Sequence, residues 1–244
     1  MAKIFPLPIK EFNEDGFARI RGVFTKEEAD SMRLEAYGCL DKIVGNETRL
    51  QMVNGHPSLL FWPRNISSVL AGYADDDRMK HIVRSFLGDD VLQLNNQVYF
   101  RESWDGDEFN WHQDICFRTP PEDFPNIEDG GYLQTVIAID EIRSDNGAVE
   151  FIPGSHKLGV MDLVPRDNSE RGLRKFDRRG WSGVKLEADP GDVMIWSLLV
   201  VHGSEQNRSL RNRATYMNGF AKASAVNPKR WFPTYMKGQD AAIR

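Results

Sequence analysis

Residues 189–202 read DPGDVMIWSLLVVH, and this stretch decides the fold. Asp189-Pro190-Gly191-Asp192 is a strong turn signal: proline presets one backbone angle, and glycine takes conformations that side chains resist. Val193 to Val201 is nearly all apolar and reads as one buried strand. His202 ends that run, which places an imidazole at the rim of a sheet, pointing inward. The same alternation of short apolar runs and turn residues extends outward on both sides. Val91 to Phe100, Tyr132 to Ile139, Ala148 to Ile152, Val184 to Leu186 and Ala214 to Phe220 are bounded by Gly, Pro, Asn or Asp. Evenly spaced short strands of this kind predict a sandwich or jelly-roll barrel.

Before residue 90 the pattern is mostly helical. Thr25 and Glu28 form a capping-box signature. Ala29, Met32, Leu34, Ala36, Leu40 and Ile43 follow as an apolar stripe. A second helix starts after Asp75-Asp76-Asp77, with Met79, Ile82, Val83, Phe86 and Leu87 as its apolar face and Gly88 as its C-terminal cap. Two long loops interrupt the strands, at 102–110 and 160–183, and the second carries Arg166, Arg171, Arg174, Arg178 and Arg179. Long loops in a compact domain are usually functional. With 244 residues, one domain is expected over 1–244: a helical part to about 90, a core over 91–220 and a tail over 221–244.

Composition excludes several classes. Hydrophobic residues make up 41% of the chain, too many for general disorder. The net charge of -5 argues against a dedicated nucleic-acid binder. No apolar run is long enough to span a bilayer. Two cysteines, Cys39 and Cys116, make no disulfide framework. A cytoplasmic protein acting on a small molecule, with no nucleic-acid or membrane partner, is expected. Nothing in the sequence sets an oligomeric state.

The chemistry begins at Trp111-His112-Gln113-Asp114. In an extended strand, positions i and i+2 share a face, so His112 and Asp114 can converge on one metal ion. His202, from a distant strand, is the best third donor. Two histidines and one carboxylate leave coordination positions open, as in non-haem Fe(II) oxygenases. The bland alternative is a hydrogen-bonded surface pair. Arg213 opens an apolar strand eleven residues after His202. A buried arginine needs an anionic partner, and its planar fork fits a carboxylate; a structural ion pair is the plainer alternative. Cys116 follows Asp114 by two residues on the same strand face, which would bring it near the metal; a buried inert thiol is the plainer reading. His156, in the turn Pro153-Gly154-Ser155-His156, is read as structural, and His56 and His81 as surface or local hydrogen-bond residues.

This set resembles the phytanoyl-CoA dioxygenase family of Fe(II)/2-oxoglutarate-dependent oxygenases. The matching stretches are WHQD (111–114), DNGAVEFIPGSHKLG (145–159), PGDVMIW (190–196) and HGSEQNRSLRNR (202–213), with EDGFARIRGVFTKEE (14–28) as the entry run. The resemblance implies a double-stranded β-helix, a jelly-roll or cupin-like barrel that is mainly β with flanking helices. It implies Fe(II) as cofactor, held by His112, Asp114 and His202, with 2-oxoglutarate and O2 as cosubstrates. Arg213 would bind the distal carboxylate of 2-oxoglutarate, assisted by Ser204. Gln134 is the polar member of the inward set Gln134, Val136 and Ala138, and so a cosubstrate contact; Gln97 and Tyr99 are further candidates. A carboxylate at 114 implies hydroxylation, desaturation or ring closure, since related halogenases lack it.

The expected reaction oxidises an unactivated C–H bond and releases succinate and CO2. Trp104, Phe109, Trp181, Arg174 and Arg178 are candidate substrate contacts on the long loops. Aromatic faces among polar groups suit a small polar or natural-product substrate, of which an oligosaccharide or aminoglycoside antibiotic is one class. Two readings from other classes stand beside this one: a cupin-like metal-binding module or isomerase without 2-oxoglutarate turnover, and a non-catalytic scaffold. Cupins usually show a His-x-His pair, whereas this chain has His-x-Asp.

Overall fold

A computed structural model describes residues 5–43, 49–104, 108–161, 180–227 and 229. The chain runs α1 (Ile9–Asp15), β1 (Phe17–Ile20), α2 (Lys26–Lys42), β2 (Leu50–Val53), β3 (His56–Phe61), α3 (Ser68–Ala74), α4 (Asp77–Leu87), β4 (Val91–Arg101) and β5 (Phe109–His112). It continues through β6 (Tyr132–Ala138), β7 (Val149–Phe151), β8 (Val184–Lys185), β9 (Val193–Ser197), β10 (His202–Ser204) and β11 (Arg213–Lys222). One sheet has the order β1-β9-β6-β11-β4-β3-β2, the other β5-β10-β7-β8. The mainly β, jelly-roll architecture matches the expectation. Both sheets keep free edges, so they form a two-layer sandwich and not a closed barrel.

Two expectations need correction. The part before residue 90 is mostly helical, but it also holds three strands the sequence reading lacked: β1, β2 and β3 join the large sheet. These three strands are only four to six residues long, and β2, at the edge, has no buried residue, so none of them carries a strong apolar–polar alternation in sequence. Val193 to Val201 is not one strand either. β9 ends at Ser197, and Leu198 to Val201 cross from the large sheet to the small one before β10. All four crossing residues are buried, which gives the crossover the same apolar composition as a core strand.

The helices start where their caps allow. Glu28 N–H donates to Thr25 Oγ1 and Thr25 N–H to Glu28 Oε2, which closes the capping box of α2. Asp76 caps α4, and Gly88, at φ 89°, ends it. α2 buries Ala29, Met32, Ala36 and Cys39. Leu34 is exposed, because two residues from Met32 and from Ala36 puts it on the opposite side of the helix. α4 buries Met79, Ile82, Val83 and Leu87. These helix faces share one core with Leu133, Ile137, Val193, Ile195, Ala214 and Tyr216, the outward face of the large sheet. Each such large side chain contributes roughly 1.5–3 kcal/mol by leaving water. The alternate residues Val136, Ala138, Met194 and Trp196 face inward and pack with Phe151 and Ala148 of the other layer.

Candidate active site

A cavity of about 900 Å³ opens between the layers. Strand pairing assembles its chemistry. His202 of β10 lies directly opposite His112 of β5, so two residues ninety positions apart become cross-strand neighbours. Their rings are 4.2 Å apart. Asp114 arrives differently from the strand expectation. Gln113 is extended at φ -112°, ψ 139°, which keeps Asp114 on the side of His112, but Asp114 already starts a 3-10 turn over Asp114–Phe117. Cys116 therefore sits on that turn and not on a strand; it lines the cavity, and burial followed by the Asp114 charge pushes its thiol up to about 12.

His112 Nε2 is 3.5 Å and His202 Nε2 is 3.8 Å from Asp114 Oδ1. One donor atom from each of the three side chains lies within 4.8 Å of the others, and all three residues are buried. The Nδ1 atom of His112 meets the Asn110 carbonyl at 2.8 Å, and that of His202 meets the Val200 carbonyl at 3.0 Å. A carbonyl only accepts, so both Nδ1 atoms carry protons and both Nε2 atoms are left to bind. Burial, reinforced by His112 and opposed by Asp114, lowers His202 to about 4, so its ring is neutral at pH 7. Burial opposes ionisation of Asp114, but His202, His112 and Arg118 outweigh it and hold the carboxyl below the usual range. A neutral His202 supplies little of that effect at pH 7. The carboxylate stays ionised there because Trp196 Nε1 donates to its Oδ2 over 2.8 Å and because an ordinary Asp titrates near 4. The cluster is a buried anion with converging lone pairs, which a divalent cation would neutralise.

Ser155 holds the ligand-bearing segment in place. Its hydroxyl accepts from Val201 N–H and donates to the Ile152 carbonyl. His156 beside it packs on Gly16, where a Cβ would come within 2.5 Å of the ring; its place is structural, outside the three-residue cluster. His56 and His81 are exposed.

Arg213 opens β11 and is buried. It lines the cavity with Ser204, Tyr99, Gln97 and Gln134, so all five sequence candidates for the cosubstrate face one space with the His-Asp-His cluster. Phe109 lines it too, on β5 and 4.7 Å from the His112 ring. Trp104 does not: it is 64% exposed. Trp181 is half-buried away from the lining. Arg174 and Arg178 lie outside the described residues.

Sequence reasoning missed four contributors. Trp196 shares the inward parity of Met194, and the motif PGDVMIW contains it. Arg101 shares the parity of Gln97 and Tyr99; it is fully buried and pairs in register with Arg213. Its Nη2 donates to Ser204 Oγ at 2.5 Å and its Nη1 to the Glu205 carbonyl at 3.1 Å. With its oxygen accepting from Arg101, the Ser204 hydroxyl is left to donate into the cavity. Gln113 donates to the Leu199 and Gly159 carbonyls and accepts from Met161 N–H, which fixes the start of the long loop at the cavity wall. Arg118 lines the cavity beyond the 3-10 turn, and no sequence pattern singled it out.

Comparisons with known proteins agree with this geometry. A probable alpha-ketoglutarate-dependent hypophosphite dioxygenase of Stutzerimonas stutzeri is 26% identical, with 88% of this chain and 78% of that protein covered. An ectoine dioxygenase of Sphingopyxis alaskensis is 26% identical, with 96% of this chain and 83% of that protein covered. The crystal structure of EctD from S. alaskensis with bound Fe superposes with a TM-score of 0.78 at 24% identity, over 96% of this chain and 84% of that one. The family model for phytanoyl-CoA dioxygenase matches residues 12–215, and on that span the chain belongs to the phytanoyl-CoA dioxygenase (PhyH) family.

Proposed function

We propose that the protein is an Fe(II)/2-oxoglutarate-dependent oxygenase that oxidises a C–H bond of a small polar substrate, with release of succinate and CO2. The observation that carries the reading is the donor set: His112 Nε2, His202 Nε2 and Asp114 Oδ1 converge within 4.8 Å, with both Nδ1 atoms already committed to carbonyls. Three donors on one side leave the other side open to exchangeable ligands, the pattern of non-haem iron oxygenases. Ferrous iron bound there supplies the oxygen activation that no side chain provides.

The chain's own residues then have distinct tasks. Arg213, with Ser204, takes the distal carboxylate of 2-oxoglutarate; Arg101 fixes the Ser204 rotor. Phe109, Phe117, Phe151 and Trp196 ring the two histidines at 4.7–5.5 Å and keep bulk water from the reacting centre. Relatives named for ectoine and for hypophosphite support a small polar substrate. An oligosaccharide or aminoglycoside antibiotic has less support: of Trp104, Phe109 and Trp181, Phe109 alone lines the cavity.

The test is succinate release from 2-oxoglutarate. Release that needs Fe(II) and is lost in His202→Ala supports the reading. A folded, iron-loaded protein that binds metal yet forms no succinate with any of a panel of polar substrates would return the cupin-like binding module or isomerase.

A further inference from the structure

Arg118 helps to keep Asp114 ionised, but the proposed chemistry assigns it no bound partner. It lines the cavity and is half-buried, and among the described residues it forms no ion pair. Its one side-chain hydrogen bond runs from Nη2 to Tyr132 Oη, at 2.6 Å, and its guanidinium stacks 4.5 Å over the Tyr132 ring. Its Nε is buried with no hydrogen-bond partner. A buried guanidinium donor without an acceptor is costly, and the surrounding groups cannot supply one. Tyr132 Oη donates to Gln134 Oε1 at 2.7 Å, and Asn95 Nδ2 donates to the same oxygen at 3.3 Å. Gln134 Nε2 is spent on the Thr135 carbonyl. Tyr132, Gln134 and Asn95 thus hold Arg118 in place while leaving its remaining N–H groups unanswered.

The position is separate from the keto-acid end. Tyr132 Oη sits over Gly219, where a Cβ would come within 2.1 Å of it. Gly219 lies six residues along β11 from Arg213, roughly 20 Å at strand rise. Asp114, four residues back across a 3-10 turn, is roughly 6–8 Å from Arg118 along the chain. The cavity therefore has two well-separated cations, Arg213 and Arg118, and among the described residues Asp114 is the sole carboxylate in its lining. Asn95, opposite Gly219 in register, and Thr119, next to Arg118 in sequence, also line the cavity and are polar.

We infer that Arg118 is the anchor for an anionic group of the primary substrate, which makes that substrate a small polar organic acid with a carboxylate or similar oxyanion. The inference rests on the oxygenase reading only in assigning Arg213 to 2-oxoglutarate. Nε is buried and Nη2 is engaged by Tyr132, which leaves Nη1, with no hydrogen bond among the described residues, as the donor for an oxyanion. Anchored there, the acid would present its neighbouring C–H bonds to the open side of the metal cluster.

The test is calorimetry on anaerobic, iron-loaded protein saturated with 2-oxoglutarate. The probes are pyroglutamate and pyroglutamide, which differ in the charge of one group. A charge-assisted hydrogen bond of about 1.5–3 kcal/mol predicts that the acid binds at least about tenfold tighter than the amide. Arg118→Gln should reduce that preference to within about twofold, and Arg118→Lys should keep part of it because the charge remains. Arg208→Gln, exposed and outside the cavity lining, should leave the preference intact. Melting curves check that each variant folds, and Arg118→Lys carries the test if Arg118→Gln does not. Equal binding of acid and amide by the wild type overturns the proposal, as does a preference kept in Arg118→Gln. Calorimetry needs no turnover, so repeating it on metal-free protein separates failure here from failure of the oxygenase reading.

Discussion

Trp196 Nε1 donates to Oδ2 of Asp114 and so leaves Oδ1, the oxygen nearest both imidazoles, with open lone pairs. The indole would thus act on a bound metal without touching it, by fixing which carboxylate oxygen points inward. Replacing it with phenylalanine keeps much of the packing and removes the hydrogen bond. Outer partners of this kind change metal affinity by about 10–100-fold, so Trp196→Phe should weaken Fe(II) or Mn(II) binding at least about tenfold in a competitive titration. An unchanged affinity would mean that Asp114 is oriented by other groups. At the opposite end, Arg213→Gln should raise the 2-oxoglutarate concentration needed for half-maximal succinate release by about tenfold or more, with the iron titration unmoved; equal weakening of both would count against its assigned task. His112, Asp114 and His202 were legible because metal donors are few and their spacing is constrained. Trp196 and Arg101 were not, because an aromatic or a strand-end arginine reads as core or surface until register shows what it faces. Arg118 was invisible for a further reason: its cavity position depends on the 3-10 turn that replaces the expected strand after Gln113.

The elements meet at junctions that local sequence does not display. Arg78, at the start of α4, bonds both oxygens of Asp76 and both of Glu28 at the start of α2, and also the Val23 carbonyl. It lies 4.2 Å over the Phe24 ring as well. Its guanidinium holds Glu28 and Asp76 below the usual carboxylate range. A depressed carboxylate adds stability above its unfolded pKa and loses it as pH falls through the folded value. Arg78→Met should therefore destabilise the fold by about 2–3 kcal/mol at pH 7, and the gap to wild type should close as pH drops below about 4. Melting curves across pH decide this; a gap that persists in acid would assign the loss to packing against Phe24. A second junction is Gly219, which admits the Tyr132 hydroxyl. Gly219→Ala should cost about 1–3 kcal/mol, and adding Tyr132→Phe, which removes the clashing oxygen, should recover part of the melting temperature. Both helix starts were readable from their caps. The short strands β1 to β3 were not, since four to six residues at a sheet's margin carry too little alternation to declare a face.

At the level of the whole molecule, an outer helical layer braces the large sheet, and the inner faces of two open sheets enclose a cavity lined, among the described residues, by one buried carboxylate. The strand-and-turn rhythm after residue 90 made the two-layer β architecture legible. It could not show that the chain changes sheets inside an unbroken apolar run, because crossover residues and strand residues are buried alike. That crossing is what sets His202 beside His112. The account stands on those two imidazoles and Asp114 gripping one ferrous ion that also takes a keto-acid. Anaerobic titration of the protein with Fe(II) and 2-oxoglutarate measures this most directly. A weak visible charge-transfer band is expected that needs both additions, saturates at one iron per chain and vanishes in His112→Ala. A folded wild-type protein that gives no band with both present would contradict the account.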